Sequence, residues 1–369
     1  MKFTIDGELL KKSVNDVKIG IGDGKNIELY STILVEVNDK IMFQTQDGTI
    51  KLTSMTIGDI EEQGEFRCNG NTFIGVISQL SPNDVVEFKT NGDILYVKQK
   101  GTTVKFKNVT GFVMANNSTE EDPIADFIVP TDEMAKALSN GMVCVAKENA
   151  RPTLKGINFT KAGDKLKICS LDGFRLSRSY VAYESETDIS DFNVILHTKG
   201  VGAIIALCST CEKVNIKIYP RKVVVQSDNG LIETGLIDGE FFNVDRQFPS
   251  MYNFLIKAKK EELKRAVALA TITGSGVYNS IDLNFDTDKK ILNVESQKDS
   301  AESSTGVDIE TEQNGSELSI ALNSSFLMDI IKNTAGENVI FNIISEAKPI
   351  VFTDETSENA FLVLPIRRI

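Results

Sequence analysis

The stretch Ile33-Leu34-Val35-Glu36-Val37, running into Ile41-Met42-Phe43 and then Asp47-Gly48, recurs in outline three times in this chain. Ile157-Asn158-Phe159 leads to Leu166-Lys167-Ile168 and Asp172-Gly173, and Ile281-Asp282-Leu283-Asn284-Phe285 leads to Ile291-Leu292-Asn293-Val294. Ile33, Ile157 and Ile281 stand roughly 124 residues apart, a period that marks an array of similar units. Each copy then continues alike. A short apolar helical stretch (Phe73 to Leu80, Val201 to Leu207, Phe326 to Ile331) precedes a strand beginning at Val85, Val214 or Val339. Two further strands close the unit, around Ile94 to Val97 and Thr103 to Phe106, Val223 to Val225 and Leu231 to Thr234, and Ile350 to Phe352 and Ala360 to Leu364.

A chain of 369 residues exceeds the usual single-core limit, and three units of about 120 residues each fall near the commonest domain size. With 41% hydrophobic and 25% charged residues the composition is that of a globular protein, and no apolar run approaches the ~20 residues that span a bilayer. The opening Met1-Lys2-Phe3-Thr4-Ile5-Asp6 lacks the apolar centre of a signal peptide, so a soluble, cytoplasmic protein with no membrane partner is expected. Five cysteines without a regular framework fit reduced thiols.

The net charge of −12 argues against nucleic acid until its distribution is considered. Each unit opens with a helical pattern whose apolar and basic residues fall on different faces. In the first, Leu10, Val14 and Val17 make the inward stripe while Lys11, Asn15 and Lys18 make a polar one. In the third, Leu263, Val267 and Ala270 face inward, with Lys257, Lys260 and Lys264 along another side; in the second, Met134 and Leu138 face inward and Lys136 outward. Acidic residues gather elsewhere, in Glu120-Glu121-Asp122, Glu184 to Asp191 and Asp299 to Glu312. For one helix such lysines are an ordinary solvated face; three helices in register add up to a positive surface that can hold a polyanion without reading its sequence.

Catalytic patterns are missing. His197 is the only histidine and precedes an apolar helical segment, where it reads as a surface residue. Cys208-Ser209-Thr210-Cys211 has half-site spacing but no second pair to complete a metal centre. No nucleophile elbow or phosphate-binding loop occurs, and Gly20-Ile21-Gly22-Asp23-Gly24 follows a helix where a dinucleotide loop follows a strand. Asp47 and Asp172 each precede a glycine and make better hairpin turns than acid–base catalysts, so a hydrolase reading has little to stand on. No enzyme, metal or cofactor is expected.

Three segments and the repeat together resemble the bacterial sliding clamps, the beta subunits of DNA polymerase III. Leu154-Lys155-Gly156-Ile157-Asn158-Phe159, followed by Ser170-Leu171-Asp172-Gly173-Phe174-Arg175-Leu176-Ser177, is similar to the family's middle-domain signature. Phe361-Leu362-Val363-Leu364-Pro365-Ile366-Arg367 is similar to its terminal strand, which ends in Pro-x-Arg. Gly239-Glu240-Phe241, continuing to Arg246-Gln247-Phe248-Pro249, resembles its inter-domain linker, with Phe242 and Val244 where the family has Pro and Tyr. In the first unit Lys25-Asn26-Ile27-Glu28-Leu29-Tyr30-Ser31 replaces the family's Arg-x-x-Leu-Pro-Ile-Leu stretch and keeps a cation at Lys25.

The resemblance implies an α+β chain of three clamp domains, 1–122, 126–249 and 253–369, each two helices packed on antiparallel sheet, two chains joining head to tail as a homodimeric ring. It implies a non-catalytic processivity factor that encircles double-stranded DNA without sequence preference, set in place by a separate ATP-driven clamp loader. Its partners would be the DNA polymerase III alpha and delta subunits, the loader and other clamp-motif proteins. Lys11, Lys12, Lys25, Lys136, Arg151, Lys199, Lys260, Lys264 and Lys332 would line the hole. A partner-peptide groove would comprise Leu154, Leu171, Gly173, Arg175, Leu176, Phe242, Arg246, Ala347, Pro349, Leu362, Val363, Leu364, Pro365, Ile366 and Arg367. The dimer contact would join Val104 to Phe106 with the edge near Ser303 to Val307, Ile272 supplying its apolar part. The alternative is a clamp-like peptide-binding regulator that does not encircle DNA.

Overall fold

Each repeat opens on a strand, where the sequence pattern points first to a helix. In a computed structural model describing residues 1–25, 27–110, 122–274, 279–298, 301–313, 315–356 and 358–367, strands Lys2–Asp6, Ala125–Pro130 and Phe254–Lys259 run straight into α1 (Gly7–Val17), α3 (Thr131–Cys144) and α5 (Lys260–Thr273). The second helix of each repeat, α2 (Gly70–Gln79), α4 (Thr198–Cys208) or α6 (Ser324–Asn333), likewise follows a strand directly. The chain turns from strand to helix at side chains that replace missing helical acceptors. Asp6 accepts from the Glu8 and Leu9 N–H groups, Asn69 from Thr72, and Asn323 from Ser325 and Phe326. Each such cap stabilises its helix by ~1 kcal/mol.

The chain forms two compact units, residues 1–135 with 183–237, and residues 136–182 with 238–369. In the first, a sheet runs in the order Asp59–Glu62, Lys2–Asp6, Val85–Asn91, Ile94–Gln99, Thr102–Lys107. A second sheet runs Ala125–Pro130, Lys213–Ile218, Lys222–Gln226, Gly230–Gly235, Ile50–Thr56, Ile41–Gln46, Thr32–Val37, Gly64–Asn69. Its middle is a seam between repeats, where Thr234 lies opposite Ile50 and Ile232 opposite Leu52. The period-two pattern of Ile41–Gln46 buries Ile41, Phe43 and Thr45 on one face, as strand geometry requires. Phe3 stacks on Phe88 with ring centroids 4.6 Å apart, and Phe73 of α2 packs against Phe43, Phe88 and Phe106.

In the second unit the sheet runs Gly156–Ala162, Lys165–Leu171, Arg175–Ala182, Ala360–Val363, Ile350–Thr353, Asn338–Ile343, Phe254–Lys259, Ala301–Thr311, Ile291–Lys298, Ser280–Asp286, Glu317–Asn323. Its seam pairs Leu176 with Leu362 and Arg175 with Val363. The inward stripe expected of α5 is realised, Leu263, Val267 and Ala270 being fully buried among Phe285, Phe341 and Phe352. Lys257, expected on that helix, lies instead in the preceding strand and binds Glu355 at 2.7 Å. Ala301–Thr311 pairs along its length with Ile291–Lys298, but only Ile309, Glu310 and Thr311 pair with Phe254–Lys259. Residues 301–308 thus have a strand on one side only, among the described residues. Glu120, Glu121 and Asp299 lie outside the described residues.

Candidate functional site

Strand alternation at the second unit's seam turns Leu176 and Leu362 to one sheet face and Phe361 and Val363 to the other. Leu176 and Leu362, 4% and 5% exposed, form a small apolar cluster with Cys169, Val244, Val351 and Ala360. Phe241, Phe248 and Tyr252 pack on it from the segment joining the second and third repeats. Two ionic contacts pin that segment: the Asp245 carboxylate accepts from Lys167 at 2.6 Å and from Arg178 at 3.5 Å, while the Arg178 guanidinium lies 3.8 Å over the Phe248 ring. Burial works to raise the Asp245 pKa, and these two cations outweigh it, leaving the carboxyl below its ordinary range.

More exposed groups flank these residues in the chain. Phe242 and Leu364 are 47% and 41% exposed, and Arg246, Ala347, Arg367 and Gly173 are open to solvent. Leu171, Pro349, Pro365 and Ile366 are half-buried. The hairpin tip is set by Asp172, whose Oδ1 accepts from the Phe174 and Arg175 N–H groups, and by Gly173 at φ +96°, which suits glycine. The Phe174 carbonyl then accepts from Leu364 N–H at 2.9 Å, which draws the C-terminal strand alongside. Leu154 is buried, its carbonyl accepting from Ala146. An apolar cluster flanked in the chain by exposed apolar and basic residues has the composition that suits an extended peptide bearing apolar and acidic side chains.

Two expected groove residues face elsewhere. Val363 is 1% exposed and belongs to the main core beside Phe361, because its side chain points opposite to Leu362. Arg175 is no free rim cation: its Nε donates to Asp172 at 2.9 Å, its Nη1 to Asp329 at 2.7 Å, and its guanidinium sits 4.2 Å over Phe326. Burial opposes its charge, and Asp329 and Asp172 outweigh burial, raising its pKa.

The expected DNA-facing cations divide into free and committed ones. Lys12, Arg151 and Lys332 are exposed, and Lys25 is 82% exposed with only a loose Asp23 contact at 3.8 Å. Lys11 donates to the Ser78 carbonyl, Lys260 to that of Thr334, and Lys264 to Glu261. Lys136 is half-buried, and desolvation lowers its pKa. Lys199 is paired with Asp47, so its charge is largely neutralised. Arg265 escaped the sequence reading, although the signal was present. Lys12, Lys136 and Arg265 each stand two residues after the first buried hydrophobic residue of the helix, Leu10, Met134 or Leu263, so one cation recurs in register in all three repeats.

At the expected dimer edges, Ile272 is 76% exposed and Val104 is half-buried, whereas the Phe106 side chain is buried against Phe73 and leaves only its backbone to the edge. Asp47, like Asp172, is a turn residue, accepting from the Thr49 and Ile50 N–H groups. His197 is half-buried at the start of α4. Cys68, Cys144, Cys169 and Cys208 are buried thiols whose pKa burial pushes up to about 12, which suits inert packing groups. No cluster of metal-ligating side chains occurs among the described residues.

Three family profiles match the chain in succession: the DNA polymerase III beta subunit N-terminal domain over residues 1–115, its central domain over 128–243 and its C-terminal domain over 245–367. The chain belongs to the DNA polymerase III beta-subunit family. It is 24% identical over 380 residues to the beta sliding clamp of Haemophilus influenzae, covering 100% of both chains. It is 24% identical over 382 residues to that of Streptococcus pneumoniae, covering 99% of each. In fold it is similar to the crystal structure of a Pseudomonas aeruginosa sliding clamp bound to griselimycin, with a TM-score of 0.91 at 19% identity and full coverage of both chains. The α+β architecture of three beta-clamp domains, mixing helix and antiparallel sheet, is the one the resemblance led us to expect.

Proposed function

We propose that this chain is a DNA sliding clamp: a non-catalytic processivity factor that holds duplex DNA by enclosing it and tethers DNA-processing proteins. The observation that carries the reading is the unbroken succession of the family's three domains over the chain. The recurring cation of α1, α3 and α5 supports it, since a ring needs only weak, sequence-blind phosphate contacts and strong ones would act as a brake.

In this reading two copies close head to tail, Thr102–Lys107 of one adding to residues 301–308 of the other. Both are outer edges among the described residues, which natural proteins rarely leave bare. They differ in charge, Lys105 and Lys107 on the first and Glu302 and Asp308 on the second, as a heterologous contact favours. Exposed Ile272 supplies an apolar contact beside that seam. The domains are taken as 1–122, 126–249 and 253–369, and the setting as the cytoplasm. Polymerase III alpha and delta subunits, the loader and other clamp-motif proteins would dock by a peptide laid across Leu176, Leu362, Phe242 and Leu364, with Arg246 and Arg367 at the rim. The test is retention on DNA: clamp placed by a loader on nicked circular DNA should remain, and should be lost when the circle is cut. Equal loss from both templates would overturn the reading.

A further inference from the structure

The two strand seams inside the chain join equivalent residues, which can be traced across each sheet. Phe3, Phe127 and Ile256 each stand four residues before the first residue of α1, α3 or α5. From them, strand pairing leads to Phe88, Ile216 and Phe341, then to Val97, Val225 and Phe352, and ends at Val104, Ile232 and Phe361. Ile232 lies opposite Leu52, and Phe361 opposite Ser177. Leu52 and Ser177 face Thr45 and Ser170 within their own hairpins, and those hydroxyls donate to the Val17 and Gly141 carbonyls at the closing turns of α1 and α3. In the third repeat Ser303 faces Ser296, whose hydroxyl lies 2.7 Å from that of Thr273 at the end of α5. Ser303 is thus the counterpart of Leu52 and Ser177, and Val104 that of Ile232 and Phe361.

One step along each seam the side chains change character and stay matched. Lys51 lies opposite Glu233, with Nζ and Oε1 3.5 Å apart, and Leu176 lies opposite Leu362 in a shared apolar cluster. The equivalent residues of the two bare edges are Glu302 and Lys105. Both are exposed, and neither has an ion-pair partner among the described residues; Lys105 leans over the Tyr96 ring at 5.3 Å. Backbone pairing is common to all these edges and would let any one take any other, so the choice among them falls to side chains. Exchanged unions put Lys51 against Lys105, Glu302 against Glu233, or a charge against Leu176 or Leu362, each worse than the matched pair.

Resting on the head-to-tail ring proposed above, we infer that this cross-strand position selects the closing partner: Glu302 of one copy lies opposite Lys105 of a second copy, with the polarity of Lys51 and Glu233 reversed. Ser303 then faces Val104, and the pairing ends with Thr305 opposite Thr102, as Ser54 faces Gly230 in the first seam. Asp308 falls beyond it. Opposite charges facing one another across antiparallel strands attract and like charges repel, and a ring of two copies contains the contact twice. The edge therefore accepts a second copy of this chain and discriminates against a relative that lacks a base at position 105 or an acid at position 302.

The test is sedimentation of the full chain carrying Lys105→Glu or Glu302→Lys, each alone and the two mixed. Each variant alone meets like charge at both contacts, and its dimer dissociation constant should rise roughly thirtyfold, two modest pairs being reversed together. An equimolar mixture should restore the parent value, because each contact of the mixed dimer again joins an acid to a base. Lys105→Glu mixed with Asp308→Lys should recover less, one contact remaining like-charged. Both side chains are exposed, and Lys105→Asp or Glu302→Arg serves where circular dichroism shows that a variant has not folded. Dimers unaffected by the single changes, a mixture no tighter than its components, or equal recovery with Asp308→Lys would overturn this pairing while leaving the ring standing. A parent chain that stays monomeric at tens of micromolar would overturn the ring itself, and this pairing with it.

Discussion

Replacing Arg175 by alanine separates a structural from a recognition role at the groove. The side chain is 10% exposed and its donors serve Asp172, itself 14% exposed, and Asp329, 37% exposed. Stranding the enclosed Asp172 costs about 1.5–3 kcal/mol, as losing a charged hydrogen bond does. Asp329 is open enough that water rescues most of its share, leaving under about 1 kcal/mol. Loss of the stacking on Phe326 adds about 0.5–1 kcal/mol. The sum is about 3 kcal/mol, which lowers local hydrogen-exchange protection roughly a hundredfold. Exchange at the amides of Arg175–Ala182 and α6 is the appropriate assay, because a three-domain chain does not melt in one two-state step. A cycle with Asp329→Asn should show coupling of about 1 kcal/mol. If Arg175→Ala kept full protection and lost only peptide binding, the guanidinium would belong to the partner site and the assignment made from its hydrogen bonds would be wrong.

Three other outcomes follow from the same geometry. Leu362→Ala, at a 5% exposed position, should destabilise the second unit by about 3 kcal/mol, whereas Leu364→Ala, at 41% exposure, should leave stability within about 0.5 kcal/mol and weaken a clamp-motif peptide roughly tenfold by fluorescence anisotropy. Lys105→Glu with Lys107→Glu should shift sedimentation from dimer to monomer, and adding Glu302→Lys with Asp308→Lys should restore the dimer; a dimer indifferent to both pairs would exclude this edge. Burial works to raise the Asp47 pKa, but Lys199 and the Ile50 and Thr49 N–H groups outweigh it and hold the folded value below the ordinary one. Its contribution is therefore present above the unfolded carboxylate pKa of about 3.9 and lost as pH falls through the folded value, so Asp47→Asn should flatten the acid limb of a stability profile.

The repeat and its strands were legible because burial writes period two plainly, as in Ile41, Phe43 and Thr45, and period 3.6 in Leu10, Val14 and Val17. The opening strands were not. Phe254–Lys259 ends in the lysine-rich run that continues into α5, and alternating apolar and basic residues there mimic a helix face, which is why Lys257 was misplaced. Partnership between distant charges is also invisible in one dimension. Arg175 and Asp329 lie 154 positions apart, and Lys199 and Asp47 lie 152 apart, so cations that read as free are already committed. Register across repeats is the stronger signal, and it recovers Arg265.

Both seams inside the chain are made of strand pairing between one repeat and the next. A single repeat cut out as a fragment would therefore expose a donor edge and an acceptor edge that fit one another. Such a piece is expected to self-associate, closing into small cycles where the turn per subunit permits and growing into filaments where it does not. Fusing three repeats in one polypeptide fixes two of those unions covalently, and in the proposed ring only the third is left to concentration.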